Sequence, residues 1–270
     1  MQIIKVPGIN GLGKTKGCER AGNAILDALK EIYSNEQGKI VDASLLDLEE
    51  IHLDNGNMEI TNKLIYENSL EAFEMKPRLV FLGGDHSISF SLVRGFLEHT
   101  KKQRKEPCLI VFDAHPDCME PVDGTFPTHE EWLRGVVEAG FPPENILLVG
   151  LRNSDPKEIR FMEKNKIKRI SINEFVRDID NACDTVMEFA NGRELYLSLD
   201  IDVVDPAFAP ATGYIEPGGL TSRQLIYILQ RMNKMKNLRG VDIVEINEKK
   251  DREYGGVTVK LGAKILAEII

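Results

Sequence analysis

The sequence predicts an α/β protein: a central parallel sheet with helices on both faces. Three observations carry that expectation. Short apolar runs alternate with longer amphipathic stretches along all 270 residues. Most runs are continuous β-branched and aliphatic residues, as expected of strands buried on both faces. Strands that alternate with helical patterns pair in parallel, because each helix carries the chain back across the sheet.

The elements follow in order. Ile3–Val6 is a first strand, closed by Pro7. Glu19–Tyr33 reads as a helix, with Ala24, Ile25, Ala28 and Leu29 setting the 3.6-residue period. Lys39–Val41 is a strand, Asn57–Glu74 a helix, and Arg78–Leu82 a strand that runs into Gly83-Gly84. Ser89–Glu98, Leu109–Phe112 and His129–Glu138 read as helix, strand and helix, the last stopped by Gly140. Strands Ile146–Val149 and Arg169–Ile170 precede the helix Asn173–Phe189, which stops near Gly192. Strand Glu194–Leu199, helix Ser222–Asn233, strand Arg239–Val244 and helix Thr258–Ile270 complete the pattern. No repeat, linker or charge block divides the chain, so residues 1–270 are expected to form one domain.

Composition narrows the function classes. Lys and Arg total 34 against 43 Asp and Glu, a net charge of −9. A general nucleic-acid binder should carry a basic face, so that class is disfavoured. The same charge suits attraction of small cations. No apolar run approaches the roughly 20 residues that span a bilayer, and Met1–Pro7 has no cleavable signal pattern. Cys18, Cys108, Cys118 and Cys183 show no Cys-x-x-Cys spacing and read as free thiols, which sets the expected location in the cytoplasm.

In open α/β sheets the ligand sits beyond the carboxyl ends of the strands. The first such end, Gly8-Ile-Asn-Gly-Leu-Gly13-Lys14-Thr15, matches the phosphate-cradling pattern G-x-x-x-x-G-K-[ST]. Gly17 and Gly22 would then fall in the helix that must follow, where glycine costs about 1 kcal/mol each. A P-loop nucleotide-binding protein is therefore kept only as a distant alternative.

Three other strand ends are rich in metal ligands. Phe81-Leu-Gly-Gly-Asp85-His86 presents a carboxylate and an imidazole after a glycine pair. Asp113, His115 and Asp117 alternate, so an extended segment aims all three the same way. Asp200 and Asp202 share a face in the third, whereas Asp205 before Pro206 reads as a turn residue. Carboxylates crowded on one apolar strand end repel each other unless a cation lies between them. His86, Asp113, His115, Asp117, Asp200 and Asp202 are more ligands than one ion uses. They suit two ions about 3.5–4 Å apart with bridging carboxylates. Oxygen-rich, thiolate-free ligation favours Mn²⁺ over Zn²⁺.

These segments resemble the signatures of the ureohydrolase family, the arginases, agmatinases and their relatives. Gly-Gly-Asp-His-Ser stands at 83–87 and Asp-Ala-His-x-Asp at 113–117. Ser-x-Asp-x-Asp-x-x-Asp-Pro-x-x-x-Pro-x-Thr-Gly stands at 198–213. Lys16-Gly-Cys-Glu-Arg20 resembles the family's opening segment and Val244-Glu-Ile-Asn247 its substrate segment, so the likeness spans nearly the whole chain. The resemblance implies a three-layer arginase-like fold and two Mn²⁺ per chain. It implies His86, Asp113, Asp117 and Asp200 around one ion and His115, Asp113, Asp200 and Asp202 around the other. It also implies a homo-oligomer, trimer or hexamer, and a small cationic guanidino substrate paired with Glu245, whose alternative is a solvated carboxylate at a strand end.

The expected reaction is attack of an activated water on the guanidino carbon, with Asp117 accepting a hydrogen bond from it. His129, sixteen residues after Asp113, is the candidate proton shuttle to the leaving amine. Its surroundings, Thr128-His-Glu-Glu-Trp132, depart from the family's His-Gly loop and also read as a helix start capped by Thr128. Gly150-Leu-Arg152-Asn-Ser-Asp155 resembles the arginase segment whose Asp meets a substrate α-amino group, which favours arginine. Met119 replaces the Asn that meets the α-carboxylate in arginases, and Glu120, Asp123, Glu130 and Glu131 make that loop acidic. The balance favours agmatine, with arginine or another amidine as alternatives.

Overall fold

The computed structural model describes residues 1–11, 13–121 and 126–270; of the acidic loop, Asp123 lies outside the described residues. The strands are β1 (Gln2–Val6), β2 (Leu48–Glu50), β3 (Leu79–Gly83), β4 (Pro107–Phe112), β5 (Ile146–Leu151), β6 (Lys168–Ser171), β7 (Glu194–Asp200) and β8 (Leu238–Val244). They form one sheet in the order β2-β1-β3-β8-β7-β4-β5-β6, and all seven neighbour pairings are parallel. The central four, β3-β8-β7-β4, are buried almost end to end, which explains their unbroken apolar runs.

Helices cover both faces. On one face lie α1 (Ala21–Leu29), α6 (Ile172–Arg177), α7 (Ile179–Ala190), α8 (Ser222–Met232) and α10 (Val257–Ile269). Their Ile25, Val186, Leu229 and Leu266 pack with Val80, Ile110, Leu197 and Val241 of the sheet. On the other face lie α2 (Met58–Met75), α3 (Ile88–Lys102), α4 (Trp132–Glu138) and α5 (Pro156–Asn165). Phe73, Phe96, Trp132 and Met162 pack there with Phe81, Leu109, Leu148 and Tyr196. Residues from adjacent positions of one strand enter opposite layers, as the two-residue strand period requires. A short helix, α9 (Glu248–Asp251), joins β8 to α10. Among the described residues no helix is long and apolar enough to cross a membrane.

The expected elements differ from the structure in identifiable ways. Ile40 forms only an isolated antiparallel bridge with Ser34, and the real edge strand is β2. Its Leu-Glu-Glu sequence is exposed and so carries no apolar run. The helix expected over 173–189 is two, because the Asp178 backbone leaves helical geometry at φ −148° and its side chain caps α7 at the Asn181 amide. Thr128 opens a turn, binding Glu131 Oε2 through its amide at 2.7 Å and its hydroxyl at 2.6 Å, and α4 starts only at Trp132. Helix α5 is an addition, capped by Asp155 and Glu158 in a reciprocal capping box.

Candidate metal centre

The ligand-rich segments leave the carboxyl ends of the four central strands, so residues as distant as 86 and 245 meet in one cleft. Gly84 is required there: a Cβ would overlap the Gly8 carbonyl oxygen, where the amino-terminal loop crosses the end of β3. Asp85, fully buried, pins that loop. It accepts the Asn10 amide at 2.8 Å and the Thr15 hydroxyl at 2.9 Å through Oδ2, and the Ser87 hydroxyl and amide through Oδ1. The glycine-rich loop thus turns donors toward a carboxylate rather than a phosphate. No helix begins at Lys14-Thr15; the first helical turn is Cys18–Arg20. The phosphate-loop alternative is set aside on these grounds.

His86 Nδ1 lies 3.1 Å from Asp113 Oδ2, 3.0 Å from Asp117 Oδ2 and 3.2 Å from Asp200 Oδ2. Neither Nδ1 nor Asp113 Oδ2 makes a properly directed hydrogen bond, although both are buried. Convergence of three carboxylate oxygens on one unsatisfied nitrogen is the arrangement of a ligand shell. His115 Nδ1 lies 2.9 Å from Asp202 Oδ2 and 3.6 Å from Asp113 Oδ1. Among the described residues two candidate ligand groups result, His86–Asp113–Asp200 and Asp113–His115–Asp202, with Asp113 in both. Asp200 falls in the first group only, and Asp117 joins through its contact with His86. The turns are locked by the ligands themselves. Asp113 Oδ1 accepts the His115 amide at 2.6 Å, Asp200 Oδ1 the Asp202 amide at 2.7 Å, and Asp202 Oδ1 the Ala114 amide at 3.0 Å.

Four of these candidate ligands, His115, Asp117, Asp200 and Asp202, line a cavity of about 460 Å³, whose wall also includes Met119, His129, Glu130, Asp155, Glu158, Tyr214, Glu216 and Glu245. Glu245 follows β8 with a left-handed backbone, φ 64°. Its Oε1 accepts the His86 amide at 2.9 Å and its Oε2 faces the Cys18 thiol at 3.9 Å.

The arginase family model matches residues 1–270. The chain belongs to the arginase family. It is 31% identical to a protein named arginase 1, mitochondrial, from Arabidopsis thaliana, over 76% of this chain and 58% of that one. It is 29% identical to N(1)-aminopropylagmatine ureohydrolase of Thermus thermophilus, over 91% of this chain and 82% of that one. Its fold matches the structure of proclavaminate amidino hydrolase from Streptomyces clavuligerus with TM-score 0.86 and 27% identity, covering 99% of this chain and 89% of the other. The alignments span 54–62% of the length of the first three curated relatives. The resemblance and the three-layer fold expected from the sequence are both borne out.

Electrostatics at this arginase-family site are strained. Burial, then Asp113, pushes the Asp117 carboxyl up to about 7. Burial and the Asp202 and Asp113 charges push Asp200 well above the carboxylate range. Asp113 is held below that range: burial opposes this, but the His115 and His86 contacts outweigh it. A dication between these groups would relieve the repulsion, so the residues present fit a divalent metal pair. His129 is buried, and among the described residues neither ring nitrogen makes a hydrogen bond, Nε2 lying 3.7 Å from Glu130 Oε1; burial lowers its pKa. Asp155 lies exposed at the cavity rim, with Oδ1 engaged by the Lys157 amide at 2.7 Å.

Several residues escaped sequence reasoning. Trp132 donates Nε1–H to Asp117 Oδ2 at 2.9 Å and packs its ring 4.5 Å from that of His86. Glu216 Oε1 lies 3.3 Å from His115 Nε2. Lys14 Nζ sits 4.1 Å from the Tyr214 ring centroid at the cavity wall. Cys18, expected as an ordinary free thiol, touches Glu245. None has a local pattern; each depends on chain segments far apart in sequence.

Proposed function

We propose that residues 1–270 act as one domain, a binuclear-metal hydrolase that cleaves a guanidino C–N bond and releases urea, with agmatine as preferred substrate. The supporting observation is that Glu245 and His129 border two ligand groups sharing Asp113, in a cavity whose wall carries further carboxylates. His86, Asp113, Asp117 and Asp200 would hold one Mn²⁺, and Asp113, His115, Asp200 and Asp202 the other. Bound there, the pair would supply an activated water and electrophilic assistance at neutral pH.

The chain supplies the rest. Glu245 receives the forked guanidinium donors, since Oε1 is fixed by the His86 amide and Oε2 faces only a weak thiol donor. Asp117, oriented by Trp132, accepts a hydrogen bond from the attacking water. His129 passes a proton to the departing amine, since neither ring nitrogen is held by a hydrogen bond among the described residues.

Charge guides substrate choice. Among the described residues that line the cavity, Glu130, Asp155, Glu158 and Glu216 are acidic and none is Lys or Arg. Arg152, nearby, is committed to the carbonyls of Asp202, Val203 and Glu216. The Met119 side chain offers a substrate carboxylate no donor, and an unpaired carboxylate costs about 1–3 kcal/mol or more. Agmatine instead brings an ammonium to this acidic wall. The second reading, arginine, is favoured by Lys14 on Tyr214, which could meet an α-carboxylate, and by Asp155 at the rim. Parallel urea assays of Mn²⁺-reconstituted protein decide between them. The expected result is two ions per chain, a higher kcat/KM for agmatine, and loss of activity in Asp113→Ala. Equal or better arginine turnover overturns the preference; one ion per chain overturns the binuclear centre.

A further inference from the structure

We propose that Asp242, acting through Ser198, is a positioning residue that sets the tautomer of His86 and so holds Nδ1 ready for one of the two ions; this rests on the metal-pair reading above. Asp242 sits in the middle of β8, fully buried, and nothing in the reaction uses it. It accepts four hydrogen bonds: from Ser89 Oγ at 2.8 Å, Tyr196 OH at 2.9 Å, Ser198 Oγ at 2.7 Å and the Leu199 amide at 3.3 Å. Ser198 and Asp242 face each other in register on adjacent strands. Ser198 Oγ is also 2.9 Å from His86 Nε2.

Donor and acceptor roles follow from this wiring. A carboxylate surrounded by four donors only accepts, so the Ser198 hydroxyl proton points to Asp242. The remaining lone pairs of Ser198 Oγ must then accept, and their partner is His86 Nε2–H. With one proton fixed on Nε2, the proton His86 gives up to bind a metal is the one on Nδ1, the nitrogen that faces Asp113, Asp117 and Asp200. Such outer partners fix ring orientation and ligand basicity, and their loss costs about tenfold to a hundredfold in metal affinity. His115 makes no link to this network; its Nε2 faces Glu216. The effect should therefore fall on one ion of the pair.

The test is Mn²⁺ titration of metal-free protein by calorimetry, with the fluorescence of Trp132, the one tryptophan of the chain, as a second signal. That indole packs on His86 and reports on it directly. Wild type should bind two equivalents. Ser198→Ala should weaken one step tenfold to a hundredfold and leave the other unchanged, with the melting temperature of the metal-free protein within a few degrees of wild type. Asp242→Asn should act on the same step; if it fails to fold, Ser198→Ala carries the test alone. Wild-type isotherms in Ser198→Ala overturn the proposal. Equal weakening of both steps together with a lowered melting temperature marks a merely structural role and also overturns it. A wild type that binds fewer than two ions removes the underlying metal-pair reading, a failure distinct from either.

Discussion

Replacing Glu245 with glutamine exchanges one oxygen for an amide and preserves the shape of the site. The carbonyl of the new side chain can still accept the His86 amide, now at 2.9 Å from Oε1, and the residue 245 amide still donates to the Gly84 carbonyl at 3.0 Å. What disappears is the negative charge proposed to face the substrate, and the introduced NH₂ would turn a donor toward a guanidinium that has only donors. Breaking a buried charge pair by removing one partner costs about 3–5 kcal/mol. At about 1.4 kcal/mol per decade of rate, kcat/KM should fall by roughly 10²- to 10⁴-fold. The fold itself should not suffer. Burial already pushes the Glu245 carboxyl well above its ordinary range, with the Asp85 charge adding to it, so a neutral amide relieves strain. Steady-state urea release, with Mn²⁺ content and melting temperature measured on the same preparation, reads all three quantities. A variant that retains both ions and keeps kcat/KM within fivefold of wild type would refute the anchor role of Glu245.

Trp132→Phe keeps a ring against His86 but deletes the 2.9 Å bond to Asp117; a hydrogen bond to a charged group contributes about 1.5–3 kcal/mol, and metal content after dialysis should drop measurably. Gly84→Ala should abolish soluble expression or lower the melting temperature sharply, because the Gly8 carbonyl occupies the space of a Cβ; a wild-type melt would show that the loop can move aside. Glu268 accepts Lys264 Nζ at 2.6 Å, Gln230 Nε2 at 2.9 Å and the Glu36 amide at 2.9 Å. Burial opposes ionisation there, but these donors win and hold its pKa below the ordinary value. A depressed pKa contributes stability above the unfolded value near ~4.3 and loses it as pH falls through the folded one. The melting-temperature gap between wild type and Glu268→Gln should therefore be full at neutral pH and close in strong acid; a pH-independent gap would sink the assignment.

What could be read from the sequence was whatever a few consecutive residues encode. Asp113, His115 and Asp117 announce themselves because three ligand-type side chains fall within five residues at a strand end. The segment is not extended as expected, since β4 ends at Phe112, the chain bends at 114–115 and Asp117 is left-handed. The structure still brings all three to His86, Asp200 and Asp202. The buried strands were legible for the same reason: runs such as Leu109–Phe112 must be enclosed somewhere. Strand β2 was not, because an exposed edge needs no apolar run. The helix α5 hid behind a segment already read for substrate contacts, although Asp155-Pro-Lys-Glu158 spells its cap. Trp132, Glu216, Lys14 and the Asp242–Ser198–His86 relay depend on pairings 15 to 200 residues apart, such as the 112 between His86 and Ser198. One signal was present and unused: an aspartate at the centre of Gly240-Val-Asp242-Ile-Val244, where a doubly covered strand has no room for an unpartnered charge.

Asp117 and Glu245 both carry left-handed backbones, at φ 50° and 64°. That conformation costs a non-glycine residue on the order of 1–3 kcal/mol, and both positions add a buried, crowded carboxylate. Heat-tolerance engineering guided by backbone preference or by charge repulsion would select these two positions early. With the roles proposed for these residues, the changes it favours there would harden the protein and disarm it together. A stabilisation effort on this chain should leave residues 117 and 245 fixed and work on exposed apolar side chains remote from the cleft, such as Tyr33, Ile40 and Leu45, where firmness and activity are not in competition.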